Sequence, residues 1–269
     1  MNTKIGFIGC GNMGTAIVNG LVESGSIDSK NIFIIDKDKE KEKKVIQKLG
    51  VSKSKSIKEL CTNVDYIVLA VKPDMVPSVL KELDFQDSKI LISIAAGITM
   101  KTIKKSAKGF RIVRVMPNTP AFVKEGMTAI CCEKSIKEKE KEYINQIFNS
   151  IGKVIEIDEK YFNAVTALSG SGPAYVFVFI EAMADAAVRM GLTRETAYNL
   201  AAQTVLGSAK LVLETGKHPG QLKDMVCSPA GTTIEAIYQL EKRGFRGTVM
   251  KAIGECFEKA EEMSEEIGD

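Results

Sequence analysis

The stretch that decides the fold lies near the amino end and reads Ile5-Gly6-Phe7-Ile8-Gly9-Cys10-Gly11-Asn12-Met13-Gly14. The short apolar run Lys4–Ile8 ends in glycine and reads as a buried strand. Met13, Ala16, Ile17 and Leu21 then recur at helical spacing until Gly25 stops the helix. A strand, a glycine turn and a helix start at the head of a βαβ unit are the context that gives G-x-G-x-x-G its meaning; elsewhere the same letters are an ordinary glycine-rich turn. Gly9 allows the tight turn. Gly11 lets the backbone approach a pyrophosphate, and Gly14 lets the helix pack closely on the strand. The helix start then offers unpaired N–H groups and a partial positive charge to phosphates. Ile8, Gly9, Cys10, Gly11, Asn12, Met13 and Gly14 are therefore expected to contact a dinucleotide.

Outward from this turn, strand-like and helix-like segments alternate. Asn31–Ile35 is a second apolar strand, ending at Asp36, and a charged helix runs from Asp38 to Leu49 before Gly50. Tyr66–Val71, Lys89–Ile94 and Ile112–Val115 read as further strands. Met127–Cys131 and Val154–Ile157 come next, with a helix at Ile136–Ser150 between them. This alternation predicts a parallel, doubly wound sheet covered on both faces. After Asp158 no strand is legible. Phe162–Leu168, Ala174–Met190, Arg194–Glu214, Gln221–Met225, Thr233–Glu241 and Thr248–Met263 all read as helices. The expectation is thus an α/β Rossmann-type domain over 1–157 and an all-α domain over 158–269. Several late helices are apolar nearly all round, which predicts their burial against a second subunit.

Composition narrows the class. Of 269 residues, 45% are hydrophobic and 26% charged, with a formal charge of +3. The lysine runs are interleaved with acids and read as solvated helix faces, so nothing points to nucleic acid. Six cysteines occur without a CxxC pair or zinc spacing, so reduced thiols in the cytoplasm are expected, and no metal. The opening Met1-Asn2-Thr3-Lys4 runs straight into the first strand, so no signal peptide is expected. The apolar stretch Pro173–Ile180 is too short to span a bilayer, is interrupted by Glu181 and Asp185, and reads as a buried helix rather than a membrane segment.

Asp36, closing the second strand, stands where an acid hydrogen-bonds the adenosine ribose and disfavours a 2′-phosphate. Lys37 and Lys39 argue the other way. The coenzyme is NADPH or NADH, with Asp36 tilting the balance toward NADH. Ala70-Val71-Lys72-Pro73 and Ala95-Ala96-Gly97 lie at strand ends facing the dinucleotide crevice, where small residues let a cofactor approach the backbone. Lys72 reads as a phosphate or ribose contact or as an exposed strand-end lysine.

Four further motifs add chemistry: Ala70–Pro73, Arg114-Val115-Met116-Pro117-Asn118-Thr119-Pro120, Leu168-Ser169-Gly170-Ser171-Gly172-Pro173-Ala174, and Val226-Cys227-Ser228-Pro229-Ala230-Gly231-Thr232-Thr233. With the first turn, they resemble the Δ1-pyrroline-5-carboxylate reductases nearly end to end. The resemblance implies reduction of the cyclic imine 1-pyrroline-5-carboxylate to L-proline by NAD(P)H, the last step of proline biosynthesis. It implies that Thr233 bonds the ring nitrogen and orients its proton, and that Ser228 helps hold the carboxylate. Backbone N–H groups of Gly231 and Thr232 are expected to bind the same carboxylate. Asn118 is expected to place the nicotinamide amide or a water, and Ser169–Gly172 to shape the pocket floor. The resemblance also implies a homodimer joined through the helical domain, able to form larger rings up to a decamer. One subunit's substrate loop is then expected to complete the other's pocket.

This chain has Ala230 where the family typically has glycine; should that position need a positive φ, the methyl group costs about 1 kcal/mol. The bland reading of Ser228 and Thr233 is a helix cap, and that of His218, the only histidine, is a surface or capping residue. A β-hydroxyacid dehydrogenase would need a catalytic lysine on a second-domain helix. Lys210 is the candidate there, and Leu211-Val212-Leu213 beside it reads as packing. A non-catalytic NAD-binding redox sensor would have no use for the intact substrate loop.

Overall fold

The computed structural model describes residues 3–83 and 89–268. The Met1-Asn2 opening, read above for a signal peptide, lies outside them. Eight strands form one sheet: β1 (Ile5–Ile8), β2 (Ile32–Ile35), β3 (Ser52–Lys53), β4 (Tyr66–Leu69), β5 (Ile90–Ser93), β6 (Arg111–Met116), β7 (Gly126–Cys132) and β8 (Gly152–Glu156). Their order in space is β3-β2-β1-β4-β5-β6-β7-β8. The register sets Ile5 of β1 opposite both Ile32 and Tyr66, in parallel pairs. The chain therefore reverses its winding direction at β1, and a crevice opens at the carboxyl ends of β1 and β4.

Helices cover both faces, which is why the central strands are continuous apolar runs. α1 (Asn12–Glu23), α2 (Lys39–Leu49) and α6 (Glu138–Asn149) pack on one face, around Phe7, Ile17, Leu21, Ile34, Val68 and Phe148. α3 (Ile57–Asn63), α4 (Val76–Glu82) and α5 (Met100–Ser106) pack on the other, around Leu60, Ile67, Leu69, Leu80, Leu91 and Phe110.

The sequence reading omitted β3, α3, α4 and α5. These elements are too short for periodicity to register. One correction concerns direction. β7 runs antiparallel to β6, with Val115 opposite Ile130, whereas a fully parallel sheet was expected. The link from Met116 to Gly126 holds only a short 3-10 turn at Thr119–Val123. A parallel return needs a crossover of a dozen or more residues. β8 then pairs in parallel with β7 after α6.

Among the described residues no strand lies beyond β8. α7 (Phe162–Val165) runs into a π-helical turn at Thr166–Gly170, where a plain helix over Phe162–Leu168 was expected. Its approach is fixed by Arg114 of β6, which is nearly buried. The guanidinium bonds Glu159 at 3.1 Å and lies 4.7 Å from the centroid of the Phe162 ring. Burial pulls the arginine's pKa down, and the Glu159 carboxylate partly restores it.

The remaining helices are α8 (Gly172–Arg189), α9 (Arg194–Thr215), α10 (Pro219–Val226), α11 (Thr232–Lys242) and α12 (Phe245–Gly268). Contacts divide the chain into two compact units. One runs to Ser171 and resumes at Cys256; the other is Gly172–Glu255. In the second unit, α8 and α9 pack through buried Ala184, Ala197 and Ala201. Most other apolar side chains there face outward: Phe177 is 62% exposed, Met250 74% and Leu213 83%. The run Glu159–Arg189 is long and apolar enough, by length and composition, to cross a membrane, and little of it is buried in the single chain. The stretch Pro173–Ile180, read as a buried helix, is thus largely uncovered within the chain itself.

Gly152, with φ +148°, has no room for a side chain, since a Cβ there would lie 2.0 Å from the Gly126 carbonyl oxygen. Gly152→Ala is expected to destabilise the sheet by roughly 2–3 kcal/mol or more, through backbone strain and overpacking. Thermal unfolding followed by circular dichroism checks this; an unchanged midpoint contradicts it.

Candidate active site

β1 ends at Ile8, and the chain turns through Gly9 with φ +103°. A Cβ on Gly9 would stand 2.6 Å from the Ala70 carbonyl oxygen, and one on Gly14 would stand 2.6 Å from the Gly9 carbonyl oxygen. Glycine at these positions lets the turn and α1 lie directly on β4. Gly11 is different. A Cβ there would meet nothing closer than the Ala70 carbonyl oxygen at 3.9 Å, so the protein leaves the space beside its backbone open. Gly11 also caps α1 without a side-chain bond, leaving first-turn N–H groups directed outward. This arrangement fits the pyrophosphate of a dinucleotide.

A cleft of about 660 Å³ opens beside this turn. It brings together Ile8, Gly9, Gly11, Asp36, Lys37, Ala70, Val71 and Lys72. Pro73 opens the short helical turn behind Lys72. Cys10 and Asn12 line an adjoining groove, and Met13 packs on the core. Ala95, Ala96, Gly97 and Asn118 do not line the cleft; they come after the carboxyl ends of β5 and β6. The cleft also takes in Lys55, Ser56, Ile57, Met75 and Val79, which the sequence reading missed. One signal was available. Ser56 and Glu59 have helix-start spacing, and the Ser56 hydroxyl accepts from the Glu59 N–H at 3.1 Å.

Asp36 is held in place. The Cys10 N–H donates to its Oδ2 at 2.5 Å and the Asp38 N–H to its Oδ1 at 2.9 Å. Glu42 lies beneath, 1% exposed. It accepts from the Asp36 N–H at 3.2 Å and pairs with Lys39 and Lys53. Burial alone raises its pKa, but these donors outweigh burial and hold the carboxyl below its ordinary value. Burial, reinforced by the charges of Asp36 and Glu42, pushes the Cys10 thiol up to about 12.

Asn118, expected to place the nicotinamide amide or a water, is bonded on both sides of its amide. Its Nδ2 donates to the Ser169 carbonyl oxygen at 3.1 Å, and its Oδ1 accepts from the Met127 N–H at 2.8 Å. The amide ties the π-helical turn to the ends of β6 and β7. Gly170 completes this tie, because a Cβ there would stand 2.5 Å from Met116 Cε.

In the second unit, α10 ends at Val226 and α11 begins at Thr232. The Gly231 N–H, expected to bind the carboxylate, donates to the Ser228 carbonyl oxygen at 3.1 Å. Gly231 caps α11 without a side-chain bond, which leaves the N–H groups of Thr232 and Thr233 outside the helix ladder. A Cβ on Gly231 would collide with Ser228 Oγ at 2.3 Å. Among the described residues the hydroxyls of Ser228 and Thr233 have no hydrogen-bond partner, so neither is acting as a cap. Ala230 has φ +55°, the condition under which its methyl group is costly. His218 caps α10, its Nδ1 accepting from the Gly220 N–H at 3.0 Å. Lys210, the lysine a hydroxyacid dehydrogenase would need, is exposed and pairs with Glu214 at 3.6 Å along its own helix.

The sheet, its crevice and its glycine turn define a dinucleotide-dependent oxidoreductase. Residues 159–263 match the family model described as pyrroline-5-carboxylate reductase dimerisation, and residues 4–97 match one described as NADP oxidoreductase coenzyme F420-dependent. The chain is 46% identical to the pyrroline-5-carboxylate reductase of Escherichia coli (strain K12), over 98% of this chain and 99% of that protein. It is 41% identical to that of Arabidopsis thaliana, over 97% of this chain and 96% of that one. The solved enzyme from Coxiella burnetii superposes with a TM-score of 0.91 at 38% identity, covering 98% of this chain and 99% of that one. A Plasmodium falciparum structure with NADP bound gives 0.86 at 39% identity, covering 98% of each. The chain belongs to the pyrroline-5-carboxylate reductase family. It reduces the C=N bond of 1-pyrroline-5-carboxylate to give L-proline, with NAD(P)H as the reductant.

This geometry makes two outcomes measurable. Ala230→Gly is expected to raise stability by about 0.5–1 kcal/mol, because relief of left-handed strain exceeds the added unfolded-state entropy; a lowered melting temperature contradicts it. Cys10 is expected to resist iodoacetamide at pH 8 in the native protein, since the thiolate is the reactive form; mass spectrometry of the labelled protein reads this directly.

Proposed function

We propose that residues 1–157 hold the coenzyme and that residues 158–269 supply the substrate loop and the subunit interface. The observation that carries the substrate assignment is the uncapped start of α11, with the Ser228 and Thr233 hydroxyls both unengaged. The substrate has two features to be recognised, a carboxylate and a ring nitrogen. The carboxylate suits the N–H groups of Thr232 and Thr233 together with the Ser228 hydroxyl. The Thr233 hydroxyl then holds the ring nitrogen and keeps the imine in its protonated, more electrophilic form. Bound NAD(P)H supplies the hydride. The protein's part is to orient donor and acceptor and to exclude water.

Thr233→Ala is expected to lower kcat by at least ~10²-fold while leaving coenzyme affinity intact. Steady-state kinetics paired with coenzyme titration checks this, and near-normal turnover rules out the assignment. Ser228→Ala is expected to act mainly on the substrate KM.

The same reading makes the working unit a homodimer, able to associate into larger rings up to a decamer, in which one protomer's loop completes the pocket of the other. The uncovered apolar faces of α8 and α9 support it, since exposed apolar surface of this extent marks an interface. We infer that the enzyme is soluble and cytoplasmic; six unbridged cysteines support a reducing compartment. Leu213→Lys, or Phe177→Glu should the first be tolerated, is expected to give monomers with little activity. Sedimentation velocity across nanomolar to micromolar protein tests this, and a fully active monomer would falsify the shared-pocket reading.

A further inference from the structure

Glu42 is a buried carboxylate that the reaction does not use. We propose that it is a positioning residue for coenzyme selection: it fixes the turn that carries Asp36 as an anion facing the adenosine ribose, and so makes this enzyme prefer NADH over NADPH. The proposal rests on the NAD(P)H reading of the cleft.

The geometry supports this in three steps. First, both Asp36 oxygens are held by backbone N–H groups, from Cys10 and Asp38, so the carboxylate cannot swing away from an incoming phosphate. Each oxygen keeps lone pairs free for ribose hydroxyls. The Cys10 N–H is already engaged and is not available to bind a 2′-phosphate.

Second, two of the cations around Asp36 are partly neutralised by Glu42. Lys39 donates to the Asp36 carbonyl oxygen at 2.7 Å and pairs with Glu42 at 3.3 Å; Lys53 pairs with Glu42 at 3.1 Å. Lys37 turns across to Met75 Sδ at 3.6 Å, a neutral sulfur, and keeps its full charge.

Third, Lys37, Lys41, Lys55 and Lys72 line the cleft without an ion pair among the described residues. Exposed lysines hold a phosphate weakly through solvent, whereas the Asp36 carboxylate, tied at both oxygens, meets a 2′-phosphate with like-charge repulsion. They favour the pyrophosphate common to both coenzymes rather than selecting between them.

The test is direct titration of NADH and NADPH into the full-length protein, without imine. The chain has no tryptophan, so the coenzyme's own fluorescence reports binding cleanly. The wild type is expected to bind NADH at least tenfold more tightly. Glu42→Gln keeps an acceptor for the Asp36 N–H but releases Lys39 and Lys53, and is expected to narrow the ratio at least threefold. Asp36→Ser is expected to narrow it further. A purely structural role for Glu42 would weaken both coenzymes equally and leave the ratio unmoved. If Glu42→Gln fails to fold, Lys53→Gln at the exposed partner is expected to widen the ratio instead. A wild-type preference for NADPH overturns the proposal, as does an unmoved ratio in the variant. The titration contains no imine, so a failure of imine-dependent coenzyme oxidation in a separate assay would count against the catalytic reading and leave these ratios interpretable.

Discussion

The carboxyl edge of the sheet depends on how closely the turn from Gly9 to Gly14 lies against Ala70. Side chains at Gly9 or Gly14 would need space already occupied by backbone of the turn itself or of β4. With glycine there, α1 starts directly above the strands, and its first N–H groups face the crevice. The same contact sets Cys10 beside the end of β2, where its N–H holds Asp36. The phosphate site and the ribose site are therefore one construction. Moving the turn would displace both.

This explains why the first half was readable. The G-x-G-x-x-G spacing, the apolar strands and Asp36 are local signals, and the doubly wound sheet is built from them through short right-handed connections. The features that escaped were either short or relational. β3 has only Ser52–Lys53 in the ladder, and α3, α4 and α5 are about two turns each. The reversal at β7 is set by the length of a connection rather than by any residue pattern. Glu42 sits in a run of lysines and glutamates that reads as a solvated helix face. Nothing in that run marks one acid as buried, because its burial depends on Lys53 and the Asp36 backbone, which are distant in sequence or not side chains at all.

The motifs carrying the substrate chemistry show a different limit. Asn118 was legible as part of a motif but not as a tie between Ser169 and Met127. A conspicuous polar residue near a cofactor crevice invites a role as a ligand. Its amide bonds the Ser169 carbonyl oxygen and hydroxyl and the Met127 N–H, which keeps a π-helical turn in place at the ends of β6 and β7. Such turns are frequent at functional sites because they offset the chain by one residue and re-aim the side chains beyond them.

Ala230 shows how the substrate loop can hold its shape in this chain. The residue is in the left-handed region, where a methyl group is disfavoured. The loop nevertheless closes, because Gly231 accepts the tight approach of Ser228 and its N–H bonds the Ser228 carbonyl oxygen. The strain is local, and the start of α11 remains uncapped beside it. A loop that relaxed Ala230 by turning its backbone would lose the Gly231 bond and with it the placement of the Thr232 and Thr233 N–H groups. Glycine at 230 would relieve the strain without that loss, but it would also widen the range of shapes open to the free loop. Alanine thus favours a pre-set loop at some cost in stability, which is consistent with a site whose groups must be in place before a small, rigid substrate arrives.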